Sequence, residues 1–208
     1  PMKGSLLNAY RVLRTTNPSP YMVYLHIDEE EVMSSSPETL VRLQNGRLTT
    51  FPVAGSRPRG KNREEDEELE RDLLSDEKEL SEHNMLVDLG RNDLGRISKF
   101  GSVDVTKYMM IHRYSKIMHI CSQVESEIES SKDGLDAIEA VLPAGTLSGA
   151  PKIRACEIIE ELESEERGIY GGALGYLDFA GNLDTCIAIR MAVKKDDKVY
   201  VQAGGGIV

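Results

Sequence analysis

Apolar residues recur at two spacings along this chain, and the switches between them mark out its elements. Leu6, Leu7, Tyr10 and Leu13 fall at helical spacing and predict a short amphipathic helix, closed by the turn signals of residues 15–20 (TTNPSP). Tyr21–Ile27 is rich in β-formers and predicts a strand. Residues 39–44 and 47–53 flank Asn45 and Gly46, a dipeptide suited to a tight hairpin. Residues 54–60 read as a loop carrying Arg57 and Arg59. Residues 63–76 form a strongly acidic helix with a solvated face, and a second helix runs from about residue 77 through 89. Gly90, Arg91 and Asn92 then read as a break before a return to strand. Strands are expected at residues 102–111 and 116–128, and a helix at 134–142.

Residues 143–163 (PAGTLSGAPKIRACEIIEELE) form the stretch around which the rest is organised. Small residues fill a loop at 144–150, and Pro151 takes the first helical position, where a missing N–H is tolerated. Ile153, Cys156, Ile159 and Leu162 recur at helical spacing, which predicts a helix with that face inward. A glycine-rich loop entering a helix favours an anion, or it is simply a tight turn. It is not a Walker loop, because Ala150 and Pro151 follow Gly149 in place of Lys and Ser or Thr. Two strands at 171–179 and 183–193 turn through Gly181 and Asn182. A turn at 195–198 leads to a last strand at 199–203 and three glycines. Sequential hairpins with helices between them predict an α+β fold of layered antiparallel sheets rather than a doubly wound parallel one. The 208 residues suffice for a single domain with one sizeable core and room for two lobes.

Composition narrows the function classes. With 25 Lys and Arg against 35 Asp and Glu, the net charge of −10 disfavours nucleic acid and anionic membrane as partners. An anionic ligand would need a local cation, arginine or helix end. No apolar run is long enough to span a bilayer, and no signal peptide is visible. Cys121, Cys156 and Cys186 are scattered and odd in number, so they read as reduced thiols of a cytoplasmic protein. Pro1 precedes Met2, and AGGGIV follows a strand-like run without a closing element. The expectation is a piece of a longer chain.

Several residues could carry chemistry. Glu79 and Glu82 lie three apart on one helix face, which suits either solvent or a hard cation such as Mg²⁺; spacing alone favours solvent. His83 makes no zinc motif, since ELSEH lacks the first His of an HxxEH pair. His119 sits among apolar residues in a predicted strand, as a hydrogen-bonded core residue or a general acid/base. Glu38, in SSSPETL, reads as a turn residue. Thr146 places a hydroxyl at the mouth of the glycine loop. Arg190 stands inside a predicted strand, where a charge needs a partner, either a structural carboxylate or that of a ligand. Tyr170 could hydrogen-bond the same group, and Gly204, Gly205 and Gly206 allow close backbone approach.

GTLSGAPK, read with these segments, resembles the chorismate-utilising enzymes, and among them the anthranilate synthases, over nearly the whole chain. The resemblance implies their α+β fold, here truncated at both ends, and reverses the reading of several residues. It implies Mg²⁺ on Glu82, with Glu79 adjacent or a second ligand; the family's remaining carboxylate ligands follow the segment that ends this sequence. It implies His119 as the catalytic base and Glu38 as the acid for the departing C4 hydroxyl, with a raised pKa in a partly dry pocket. Thr146, also counted with the catalytic residues, would join Tyr170, Arg190, Gly204, Gly205 and Gly206 in holding the carboxylates of chorismate, with Gly55 and Ser56 as a further substrate-contacting pair. Pro20, Tyr21 and Met22 match part of an inhibitory tryptophan site that an N-terminal lobe completes. Ammonia would come from a glutamine amidotransferase partner.

Two departures sort within the family. Aminodeoxychorismate synthases typically carry Lys where Ala54 stands, so covalent capture of the ring by this residue is not available. Their central loop resembles GSITGAP, where this chain reads GTLSGAP. Both favour anthranilate synthase, the lyase of the first step of tryptophan biosynthesis. The aminodeoxychorismate, aminodeoxyisochorismate, phenazine-type and isochorismate synthases remain alternatives. So do a non-catalytic binding lobe and a phosphate-binding module built on the glycine loop.

Overall fold

The computed structural model describes residues 3–206. Pro1, Met2, Ile207 and Val208, on which the reading of the two ends drew, lie outside the described residues. The chain divides into two compact units, one of Pro1–Leu40 with Leu142–Val208, the other of Val41–Val141.

The first unit opens with α1 (Leu6–Thr16), β1 (Tyr21–Ile27) and β2 (Glu30–Ser36). Ser5 caps α1 by accepting the Leu7 N–H, and the helix stops at Asn17 ahead of Pro18. The buried Glu31 accepts from the Leu6 N–H and from the hydroxyls of Ser5 and Tyr24. A carboxylate at a helix N-terminus is favoured there, and these bonds with Lys194 hold it below the usual carboxylate range despite burial. The sequence reading contains no strand at β2, because its end is a run of serines. Ser34, Ser35 and Ser36 are buried all the same, with hydroxyls bonded to the backbone of Ile189, Asn17 and Glu38. β3 (Thr39–Gln44) then carries the chain into the second unit.

That unit contains β4 (Arg47–Thr50), β5 (Val53–Pro58), α2 (Arg63–Ser75), α3 (Glu77–Gly95), β6 (Asp104–Arg113), β7 (Ile117–Glu127) and α4 (Gly134–Val141). Asn45 and Gly46 both have positive φ, 51° and 79°, as a two-residue hairpin between β3 and β4 requires. β7 is the central strand. β6 pairs along one edge, while β5 and then β4 share the other. Its residues alternate, and Met118, Ile120, Ser122 and Val124 point into the core. Leu73 of α2 and Leu80 of α3 pack on that face with Met118 and Ile120.

Two expectations fail here. Residues 54–60 are mostly strand β5 rather than loop. Nor do Gly90, Arg91 and Asn92 break the helix, since α3 runs through them to Gly95. A Cβ at Gly90 would stand 3.2 Å from Thr50 Cγ2 and 3.5 Å from Pro52 Cγ, so the glycine lets the helix pass close to its neighbours.

The chain returns to the first unit with α5 (Gly145–Ser148), α6 (Lys152–Leu162), β8 (Ala173–Leu177), β9 (Leu183–Ile187), β10 (Met191–Lys195) and β11 (Lys198–Tyr200). β1, β2, β10 and β11 form a four-stranded sheet in that order, all antiparallel. β8 and β9 form a hairpin whose turn is tied by Asp178, which accepts from Ala180 and Asn182. The helix expected after the glycine loop is present, but Pro151 is its N-cap rather than its first residue. Its face is also turned: Ala155 is buried, while Ile153 and Leu162 are 73% and 76% exposed. No described helix is long and apolar enough to cross a membrane. Cys121 and Cys186 are buried, Cys156 is half-buried, and none of the three forms a disulfide.

Candidate active site

The predicted site residues fall into two groups, one in each unit. In the first unit, Glu38 follows β2, and its carbonyl accepts the Ile187 N–H at the end of β9. The residue is half-buried, but its carboxyl lies deep among protein atoms. Desolvation therefore raises it to about 7, against the opposing pull of the Thr146 hydroxyl and the Arg190 charge. Thr146 lies close enough to lower the carboxyl without meeting it in hydrogen-bond geometry. Its buried oxygen has no bonded partner.

The stretch expected to be an open loop is a helical turn, α5. The N–H groups of Leu147, Ser148 and Gly149 are already bonded to Ala144 and Gly145. Those three donors are therefore not offered to an anion, which removes support for the phosphate-loop reading.

Arg190 differs from expectation too. It lies not within a strand but at the break between β9 and β10, with φ of 47°. The backbone changes partners there: Ala188 exchanges bonds with Gly171 and Gly172, whereas the Arg190 carbonyl accepts the Ser35 N–H. The guanidinium is exposed and makes no ion pair among the described residues. Because it is at the surface, it needs no structural counter-charge.

Tyr170 is buried and its hydroxyl is engaged. It accepts the Gly204 N–H at 2.7 Å and faces the Gly204 carbonyl at 3.4 Å. The glycine segment passes the α5 turn so closely that a Cβ on Gly206 would stand 3.3 Å from the Thr146 carbonyl oxygen. Thus Glu38, Thr146, Arg190, Tyr170 and Gly204–Gly206 are brought together in this unit. At the far end of β1's sheet pairing, Pro20 is exposed and Met22 half-buried, and the Tyr21 hydroxyl bonds Asp184 and Thr39.

In the second unit, His119 on β7 lies opposite Ser56 of β5. Its Nδ1 is 3.0 Å from the Gly55 carbonyl oxygen. A carbonyl only accepts, so Nδ1 carries the proton and Nε2 of the neutral ring holds a lone pair. Gly55 sits at a bulge with φ of 71°, and a Cβ there would stand 3.2 Å from Glu79 Oε2 and 3.1 Å from Leu73 Cδ1. The bulge therefore brings a carboxylate of α3 and the ring of His119 to one glycine. Ser56 and Glu82 are exposed. Neither Glu79 nor Glu82 has a bonded cation or side-chain donor among the described residues. No group of three or more His, Cys, Asp and Glu there could hold a metal ion.

His83, set aside in the sequence as a failed zinc motif, is fully buried on α3, with Nε2 2.6 Å from Ser122 Oγ. The same oxygen accepts the Met109 N–H. Burial pushes its pKa down to about 4.

A family model for chorismate binding enzymes matches residues 1–208. Anthranilate synthase component 1 of Acetivibrio thermocellus is 61% identical over 201 residues, which is 97% of this chain and 41% of that protein. Its counterpart in Aquifex aeolicus is 60% identical over 206 residues, 99% of this chain and 42% of that one. The chain thus spans less than half the length of these relatives. Among solved structures, anthranilate synthase component I from Streptococcus pneumoniae superposes with a TM-score of 0.90 at 49% identity, over 98% of this chain and 45% of that one. The menaquinone-specific isochorismate synthase of Escherichia coli shares the fold, with a TM-score of 0.72 at 23% identity over 82% of this chain and 39% of that one. These likenesses bear out the layered α+β fold.

Proposed function

The chain belongs to the family of chorismate binding enzymes, and from that premise we propose that it is the catalytic portion of an anthranilate synthase large subunit. In this reading chorismate is aminated with ammonia, supplied by a glutamine amidotransferase partner, and pyruvate is eliminated. The observation that carries the reading is Glu38. A carboxyl raised to about 7 is still half-protonated near neutrality, as a general acid must be.

The roles are those the family resemblance implies, and each residue's surroundings are compatible with its role. Glu38 gives its proton to the C4 hydroxyl as it leaves and ammonia adds at C2. The His119 Nε2 lone pair, aimed by the bond from Nδ1 to Gly55, takes the C2 proton as pyruvate departs. The unpaired Arg190 and the Gly204–Gly206 backbone hold a substrate carboxylate. Thr146 offers a buried, unbonded hydroxyl beside Glu38. Tyr170 acts through Gly204, to which its hydroxyl is already bonded. Gly55 and Ser56, beside His119 in the second unit, are proposed as a further substrate-contacting pair. Glu79 and Glu82, being unpaired oxygen donors, suit Mg²⁺, which takes one or two protein carboxylates and when bound draws electron density from a coordinated substrate carboxylate. Pro20, Tyr21 and Met22 are proposed as part of a tryptophan-binding site.

A second reading has its own support. Two carboxylates are a small donor set, and relatives are more than twice as long as this chain. This piece would then fold and bind without turnover. A product assay separates the readings: this chain, and a longer chain supplying the stretches its relatives have beyond it, are incubated with chorismate, Mg²⁺ and an ammonium salt. Anthranilate and pyruvate are the expected products. Their appearance from the longer chain alone supports a partial site. An aminated ring that keeps its enolpyruvyl group moves the assignment to the phenazine-type enzymes. Absence of Mg²⁺-dependent chorismate consumption by either chain overturns the proposal.

A further inference from the structure

Arg167 carries no role in the scheme above, yet it contacts both the turn that follows Thr146 and the Tyr170 ring that holds Gly204. Its Nε and Nη2 grip Glu163 at 2.9 and 2.6 Å. Its Nη1 donates to the Leu147 carbonyl at 2.8 Å, one residue beyond Thr146. Its guanidinium carbon lies 5.9 Å from the centre of the Tyr170 ring, within range of a cation–π contact. A Cβ on Gly204 would stand 3.6 Å from Nη2.

An exposed ion pair contributes little to stability, and Glu163 lies at the surface, so what this pair supplies is direction rather than stability. The Arg167 side chain is only 20% exposed. A guanidinium is also a rigid planar fork, so fixing one edge on Glu163 fixes the direction of the remaining donor and the plane over Tyr170. The Tyr170 hydroxyl in turn accepts the Gly204 N–H.

We propose that Arg167, clamped by Glu163, is the positioning residue that sets the spacing between the Thr146 turn and the Gly204–Gly206 segment. It binds no substrate itself. It holds the turn through the Leu147 carbonyl and the glycine segment through Tyr170, so that both meet a carboxylate ligand in register. This inference rests on the reading of those segments as the chorismate-carboxylate side of the site.

The test uses Arg167→Lys, which keeps the charge and can still pair with Glu163 but cannot reach Leu147 and Tyr170 at once. In the 208-residue chain, amide exchange at Gly204 is followed by NMR, with the Ile120 amide of the other unit as control. Loss of the guanidinium over the Tyr170 ring, whose hydroxyl accepts the Gly204 N–H, predicts about tenfold faster exchange at Gly204, with Ile120 unchanged. In the longer, active chain, KM for chorismate should rise about tenfold with kcat within about twofold, the signature of lost ground-state binding. Unchanged Gly204 exchange, or a fall in kcat with KM constant, overturns the proposal. Should Arg167→Lys fail to fold, Glu163→Gln is the milder variant, and Gly204 exchange unaltered by it overturns the proposal equally. A wild-type protein that does not consume chorismate defeats the functional reading alone, because the exchange measurement still decides the role of Arg167.

Discussion

In the proposed reading, Glu38 serves chemistry at a cost in stability. Its carboxyl has an ordinary value near 4.5 and is raised to about 7 in the fold. Between those values the folded state binds more protons than the unfolded one, so stability falls as pH rises, and the full loss is present above about 7. Glu38→Gln removes the ionisable group. It should lower turnover at least about a hundredfold, the scale of a lost general acid. It should also leave stability at pH 4 nearly unchanged while raising it by up to about 3 kcal/mol at pH 8, as read from urea unfolding at the two pH values. A variant that is inactive without the alkaline gain would show that the carboxyl is not desolvated. SSSPETL alone reads as a turn and carries no trace of this shift, because desolvation is contributed by atoms distant in sequence. His119 is similar. Its place on a strand is legible, but which nitrogen keeps a lone pair is decided by the Gly55 carbonyl across the ladder. Arg167 left no sequence signal beyond an acidic residue four positions earlier, a pattern common on solvated surfaces.

At the scale of elements, β5 and α2 illustrate why residues 54–60 look like a loop in sequence and yet are mostly strand. Their arginines look like loop charges, but Arg57 pairs with Asp72 and Asp76, and Arg59 with Asp66. Asp76 also caps α3 by accepting from Lys78 and Glu79. The strand is therefore held to the helices by ion pairs whose partners lie 7 to 19 positions away. Gly60 closes this junction. Its N–H donates to Asp66 at 2.6 Å, and a Cβ would stand 2.4 Å from the Asp66 nitrogen. Gly60→Ala is expected to destabilise by about 2 kcal/mol or more, since the clash is with backbone. Thermal unfolding checks this, and a melting temperature within a degree of wild type would contradict the packing described. The shifted face of α6, where Cys156 and Ile159 are half-buried but Ile153 and Leu162 are exposed, has a related cause. Helical spacing reports that a helix is amphipathic, not which neighbours are present to cover it.

Over the whole molecule, the two units carry buried titratable groups of opposite sense. His83 falls from 6.5 to about 4, so between those values the unfolded state binds more protons and stability is lost as pH falls. Glu38 works the other way from about 4.5 to 7. Between pH 4.5 and 6.5 the slopes, each about 1.4 kcal/mol per pH unit at most, should nearly cancel. His83→Gln should make stability fall across that window as pH rises, and Glu38→Gln should make it climb. Denaturant titrations every half unit test this; a variant series with one common slope would contradict it. The sequence by itself determined the order of most helices and strands, the Asn45–Gly46 hairpin, the α+β class and the family, because these depend on local periodicity, turn chemistry and a long shared wording. The tertiary structure alone decided where β5 begins, that α3 continues through Gly90, that Arg190 is exposed at a strand break with its charge acting on Glu38, and that Glu38 is half-protonated near neutrality. Each of these depends on burial, cross-strand bonds or charge partners brought close only when distant segments pack.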